Sequence, residues 1–154
     1  MKKPIITLKS VKYLKSLSEE TPAYTAKIYV NGKFFSDVSN DGHGGSDMYD
    51  DYTAAAELDK LIAATYEKSE FRGMVFNASL ESICHGLVYD EMDKKEFKSL
   101  LARKVVMLEP NKTLVTLKGK KSPALIEAAR KKFKDSIILN ALAFDEAYEI
   151  YKQA

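Results

Sequence analysis

The sequence predicts an α+β fold: a single domain over residues 1–154 in which an N-terminal three-strand meander and a second hairpin form an antiparallel sheet packed by about four helices. Three observations carry this reading. Asn31-Gly32 sits between two strand-like runs and supplies the positive φ of a type I′ hairpin turn. From Thr53 onward the apolar residues move to helical spacing. The order of elements, βββ, αα, ββ, α, a short β and α, groups strands with strands, as antiparallel sheets require. At 154 residues, 45% hydrophobic and 30% charged, the chain can bury one sizeable core.

The first strand spans Ile5 to Leu14. Ile6 and Leu8 alternate in one phase and Val11 and Tyr13 in the other, so a β-bulge is expected near Lys9-Ser10. Ser16 to Pro22 is polar and ends in proline, which marks a loop. The second strand, Ala23 to Val30, meets the third, Lys33 to Val38, across Asn31-Gly32. A two-residue turn then predicts Ile28 opposite Phe35 and Tyr29 opposite Phe34, on opposite faces. Either both faces of the sheet are covered, or Tyr29, Phe34 and Lys27 form an exposed patch able to stack bases or meet a protein.

Asp51 or Thr53 caps a helix expected to reach about Lys68, with Leu58, Leu61, Ile62 and Tyr66 on its buried face. Glu70-Phe71-Arg72-Gly73 breaks it, and Met74-Val75-Phe76 suits a short strand. Asn77 or Ser79 starts a longer helical stretch whose stripe runs Leu80, Ile83, Leu87, Val88 and on to Met92, Phe97, Leu100 and Leu101. The charged run Asp90 to Lys95 is a candidate break into two helices. Val105 to Leu108 and Thr113 to Leu117 flank Pro110-Asn111-Lys112 as a second hairpin. Ser122-Pro123 starts a helix, Ile137 to Leu139 suits one last strand, and Phe144 to Tyr151 a terminal helix.

Composition narrows the function. No apolar run approaches the ~18 residues of a membrane span, and Met1-Lys2-Lys3-Pro4 leads into a strand pattern instead of a signal-peptide core. A cytoplasmic protein without a membrane partner is expected. One cysteine, Cys84, excludes an internal disulfide framework and a multi-cysteine zinc site. The net charge of +2 is small but unevenly spread. Residues 37–51 hold five aspartates and no lysine or arginine, whereas residues 111–134 hold eight basic residues and one acid.

The stretch Ser39-Asn40-Asp41-Gly42-His43-Gly44-Gly45-Ser46-Asp47 is the one segment whose composition looks chosen for something other than packing. Asp37, Ser39, Asp41 and Gly42 match the first, third, fifth and sixth positions of a calcium-binding EF-hand loop. The match fails at the twelfth, Met48, and no helix precedes it. A different divalent-cation site using Asp37, Asp41, Asp47 and Asp50 stays open. As a phosphate cradle the loop has neither the Gly-Lys-Ser/Thr of a P-loop nor the dinucleotide fingerprint, and its aspartates repel anions. His43 suits a general base or an ordinary turn residue. Backbone use also accounts for the loop: glycines permit the turn, and Asn40 and Asp41 cap it.

Cys84-His85 pairs a thiol with an imidazole only on paper, because adjacent helical residues point about 100° apart. Lys118, Lys120, Lys121, Arg130, Lys131, Lys132 and Lys134 make a basic segment that suits either a phosphate backbone or a solvated helix face.

The runs Ser18-Glu19-Glu20-Thr21, Tyr24 to Lys33 and Val38-Ser39-Asn40-Asp41-Gly42-His43-Gly44-Gly45 resemble a group of short, uncharacterised phage and mobile-element proteins, over about Ile5 to Asp47. The resemblance implies a small accessory factor that acts on a host or defence protein by binding, and brings no activity or site residues with it. The expected function is therefore non-enzymatic binding, with Asn40, Asp41, Gly42, His43, Gly44, Gly45 and Asp47 of the loop and Tyr29 and Phe34 of the hairpin as the recognition surface, and no cofactor. Two alternatives stand beside it: a metal-dependent nucleotide or phosphoester enzyme using the loop aspartates, and nucleic-acid binding through the C-terminal basic segment.

Overall fold

A computed structural model describes all 154 residues. The fold is α+β, with antiparallel sheets and four helices, as the sequence predicts. The chain divides into two compact units, Met1–Met92 and Asp93–Ala154. No helix is long and apolar enough to cross a membrane.

In the first unit, β1 (Ile6–Tyr13), β2 (Ala23–Val30), β3 (Lys33–Asp41) and β4 (Met48–Tyr49) form one antiparallel sheet in sequential order. The predicted bulge in β1 is present: the register shifts between Lys9 and Lys12, with Ser10 at φ 53°. Asn31 and Gly32 take positive φ at the β2–β3 turn. The expected pairing is corrected one step later. Tyr29 faces Phe34, but Ile28 faces Ser36, because Phe35 bulges out of register. The bulge leaves Phe34 on one face while Ser36 and Val38 stay in phase with Ile28 and Ala26 on the other. A strict two-residue alternation cannot achieve both.

β3 runs to Asp41, so the first residues of the glycine-rich stretch are strand, and β4 after it was not expected. Two residues of β4 suffice because side chains extend the edge. The Asp50 N–H donates to Ser36 Oγ at 3.0 Å, and the Asp37 N–H donates to Asp50 Oδ2 at 2.9 Å.

Helix α1 (Tyr52–Thr65) is capped by Asp51, whose Oδ1 accepts from the Thr53 and Ala54 N–H groups at 2.9 and 3.1 Å. It stops three residues short of the expected Lys68, where β5 (Ser69–Phe71) and β6 (Met74–Phe76) form a separate hairpin across Arg72-Gly73. Helix α2 spans Leu80–Arg103 without a break. The charged run does not divide it, since Asp90/Lys94 and Glu91/Lys95 fall at the i,i+4 spacing that supports a helix. Its first turn is tied to α1 by the Leu80 N–H, which donates to Asp59 Oδ1 at 2.6 Å.

The first core joins one face of the sheet (Ile6, Tyr24, Ala26, Ile28, Val38) to α1 (Ala55, Leu58, Ile62) and the start of α2 (Leu80, Cys84, Val88, Met92). Burial alternates along β2, with Thr25 and Lys27 exposed between Tyr24, Ala26 and Ile28. The opposite face of the meander is therefore left to solvent.

In the second unit the second hairpin, β7 (Val106–Leu108) and β8 (Leu114–Thr116), lies with β9 (Ile137–Ile138) in a sheet of its own, in the order β8-β7-β9. Helix α3 (Pro123–Lys132) is capped by Ser122 with Pro123 in its first turn, and α4 (Phe144–Gln153) ends the chain. Asn140 stitches this unit together: its Oδ1 accepts the Val106 N–H at 2.8 Å and its Nδ2 donates to the Leu101 and Lys104 carbonyls at 3.0 and 2.8 Å.

Candidate functional site

The glycine-rich stretch is built around two buried polar side chains, Asn40 and Asp47. Asn40 Oδ1 accepts the Thr21 hydroxyl at 2.7 Å and the Gly42 N–H at 2.9 Å. Its Nδ2 donates to the Gly45 carbonyl at 2.9 Å and to Asp47 Oδ1 at 3.0 Å. Across the top, the Gly44 N–H donates to Thr21 Oγ1 at 3.2 Å and the Glu19 N–H to the Gly42 carbonyl at 3.0 Å. Gly42 takes φ 88°, and a Cβ there would overlap the Leu17 carbonyl oxygen and crowd Ala23. Only glycine satisfies both the positive φ and that backbone approach.

Asp47 is the centre of the network, with its side chain fully buried. Oδ2 accepts the Tyr24 hydroxyl at 2.7 Å. Oδ1 accepts from Asn40 and lies 2.8 Å from His85 Nε2. An ionised carboxylate only accepts, so with Asp47 ionised the His85 Nε2–H is the donor of this contact. The His85 ring is largely covered, with 17% of the side chain exposed, and packs edge-on to Tyr24 at a centroid distance of 6.0 Å. Glu81, one helical turn before His85, accepts the Asp47 backbone N–H at 2.6 Å.

This enclosure shows in the neighbouring acids. Burial, followed by the hydrogen bond to Asp47, pushes the Tyr24 phenol far above its ordinary range. Burial and the Asp47 charge do the same to Tyr49. Burial pushes the Cys84 thiol up to about 12, with the Asp47 and Glu81 charges adding to it. Cys84 is thus an inert core thiol.

Asp47, Glu81 and His85 each present a ligand atom within 4.8 Å of the others, the one grouping of histidine and acids in the chain placed to hold a metal ion. One histidine with two carboxylates suits zinc or manganese with an open coordination position. The sequence pointed to Asp47 but to neither Glu81 nor His85. Their i,i+4 spacing on a predicted helix was the available signal, and nothing in the chain order places that helix against the loop. The other candidate cation ligands are engaged elsewhere. Asp37 pairs with Lys27 at 2.8 Å, Asp50 holds the β3 edge, and Asp41 Oδ1 accepts the His43 N–H at 3.2 Å.

His43 is exposed, with Nδ1 3.5 Å from Glu19 Oε2. Beside it, Tyr13, Leu14, Leu17, Ala23 and Asp41 line an open pocket of about 570 Å³. Of the expected recognition residues, Asn40, Gly42 and Asp47 are buried, while Asp41, His43, Gly44 and Gly45 face solvent.

Tyr29 and Phe34 come together on the uncovered face of the meander, edge to face with centroids 5.8 Å apart. Phe34 is 52% exposed. Lys9 Nζ stands 4.3 Å from the Tyr29 ring centre and Lys27 Nζ 5.5 Å from that of Phe34. In the second unit, Lys118, Lys120 and Lys121 are exposed on the loop before α3, and Arg130, Lys131 and Lys132 form its last turn. Successive helical positions fan these three apart, and cations at a helix C-terminus complement its dipole.

Comparison with protein-family models, with curated proteins and with solved structures gives no match for this chain.

Proposed function

We propose that this chain is a non-enzymatic binding protein whose recognition surface is the open face of the N-terminal meander. The observation that carries this is the pairing of a half-buried Tyr29 with an exposed Phe34, bracketed by Lys9 and Lys27 on a face that no helix covers. Aromatic side chains presented by a regular sheet supply contact area at small entropic cost. The glycine-rich loop, its inner polar groups spent on its own network, acts as a strut at one end of that platform. Pull-down from lysate, with and without nuclease and analysed for both protein and nucleic acid, with wild-type chain and with the combined variant Lys9→Gln, Lys27→Gln, Phe34→Ala tests it. The variant is expected to keep its circular dichroism spectrum and lose the wild-type partner. A variant that keeps both overturns the assignment of the face.

A second reading, metal-dependent chemistry on a phosphoester, has one observation in its favour: the convergence of Asp47, Glu81 and His85. It predicts saturable Zn²⁺ or Mn²⁺ binding by calorimetry, abolished by Glu81→Gln and by His85→Gln in folded protein. An absence of binding at millimolar metal leaves the three residues a purely structural network.

A further inference from the structure

The geometry points to single-stranded nucleic acid as the ligand of the open sheet face, an assignment that rests on the binding reading above. On this face the register sets Lys9 opposite Lys27, Lys12 opposite Thr25 and Tyr29 opposite both Thr7 and Phe34. Three lysines, two aromatic rings and small hydroxyl side chains thus share one surface about 13 Å long from Thr25 to Tyr29, at ~3.3 Å per residue. Between Lys12 and Lys27 on one side and Asp37 and Asp50 on the other, the surface dips into an open depression of about 350 Å³ floored by Thr25 and Ser39.

Charge and chemistry choose the occupant. Lysine is depleted at the centre of protein–protein interfaces, where its desolvation is costly, yet here two lysines flank the aromatic pair. Lys27 is shared with Asp37 at 2.8 Å, while Lys9 and Lys12 stand on β1, with β2 between them and Asp37 on β3. The basic side of the face is therefore β1–β2 and the acidic side β3–β4, where Asp37 and Asp50 lie. An anionic chain would run along the first and avoid the second. An exposed Phe34 ring and a half-buried Tyr29 ring beside cations suit bases that stack and phosphates that pair with the neighbouring ammonium groups. In a duplex those bases are already stacked and paired, and a broad sheet face does not enter a groove that admits a helix or a two-stranded ribbon. Unpaired bases satisfy both the rings and the lysines.

Fluorescence anisotropy with labelled oligothymidylate and a mixed-sequence RNA, beside a duplex of the same length and inorganic polyphosphate, tests the assignment. Binding is expected to favour the single strands over both controls. With three lysines engaged, log affinity should fall against log salt with a slope of about −2, at ~0.7 per phosphate contact on a single strand. Phe34→Ala and Tyr29→Ala are each expected to weaken binding roughly 5- to 150-fold, the range of one lost base-stacking contact. A combined Lys120→Gln, Lys131→Gln, Lys132→Gln variant should bind as the wild type does. Binding that survives Phe34→Ala but is lost in that lysine variant places the ligand on the C-terminal segment and overturns the proposal. Preference for polyphosphate or duplex overturns it as well. If the wild type binds no oligonucleotide while the open-face variant still loses a protein partner from nuclease-treated lysate, the nucleic-acid assignment fails and the binding reading stands; loss of neither removes both.

Discussion

Replacing Asp47 by alanine is expected to cost about 3–5 kcal/mol of folding stability, because three donors lose their common acceptor at ~1–3 kcal/mol each while the desolvation of one carboxylate is relieved. The reason lies in what stays behind. Tyr24, Asn40 and His85 all direct donors at one carboxylate, and the first two are themselves buried. Alanine leaves those donors facing a cavity, and each unsatisfied buried group costs ~1–3 kcal/mol. Against a total stability of ~5–15 kcal/mol for a typical domain, this is a large share from one residue. Asp47→Asn keeps the volume and one acceptor oxygen, so a smaller loss of about 1–3 kcal/mol is expected. Urea unfolding of Asp47→Ala, Tyr24→Phe and the double variant completes the argument. Tyr24→Phe removes a donor together with its demand, so the two losses should sum to more than that of the double variant. Additive losses, or a cost below 1 kcal/mol for Asp47→Ala, would mean that water reaches the carboxylate.

The same network explains which parts of the molecule were legible in sequence. Strands and helices followed from period and punctuation: Asn31-Gly32 gave the hairpin, Asp51 and Ser122-Pro123 gave two helix starts, and the phase change at Lys9-Ser10 gave the β1 bulge. Each of those signals is local. The Phe35 bulge was missed because it resolves a conflict between the turn, which puts Phe34 beside Tyr29, and the core, which requires Val38 opposite Ala26. Neither demand is visible in one strand alone. Asp47 was visible as one aspartate among five, and nothing local distinguished it. What separates it from Asp41 and Asp50 is that β4 and α2 close over it, which brings in Glu81 and His85 from 34 and 38 residues away. The pairing of Tyr29 with Phe34 needed only the turn, so the sequence alone could place that contact.

High pH should unfold the first unit through the groups buried around Asp47. In the unfolded chain Cys84 ionises near its ordinary value of 9.0 and Tyr24 and Tyr49 near 10.0. In the native state Cys84 holds its proton to about 12, and both phenols hold theirs above the range of ordinary tyrosines. Below pH 9 all three are protonated in both states, and they give stability no pH dependence. Above it the native state binds more protons than the unfolded state, so unfolding free energy falls as pH rises. Each fully shifted group contributes a slope of ~1.4 kcal/mol per pH unit. Cys84 acts first, from about pH 9, and Tyr24 adds to it from about pH 10. Tyr49 is only half-buried, and its share is smaller. Urea unfolding at pH 8, 9.5 and 10.5 should therefore show a loss that steepens with pH, and Cys84→Ala should delay its onset by about one unit. Ultraviolet titration of the native protein adds an independent reading, in which Tyr24 stays protonated while exposed tyrosines ionise. Flat stability across that interval, or complete phenol titration before unfolding, would show that the interior around Asp47 opens to water without loss of the fold.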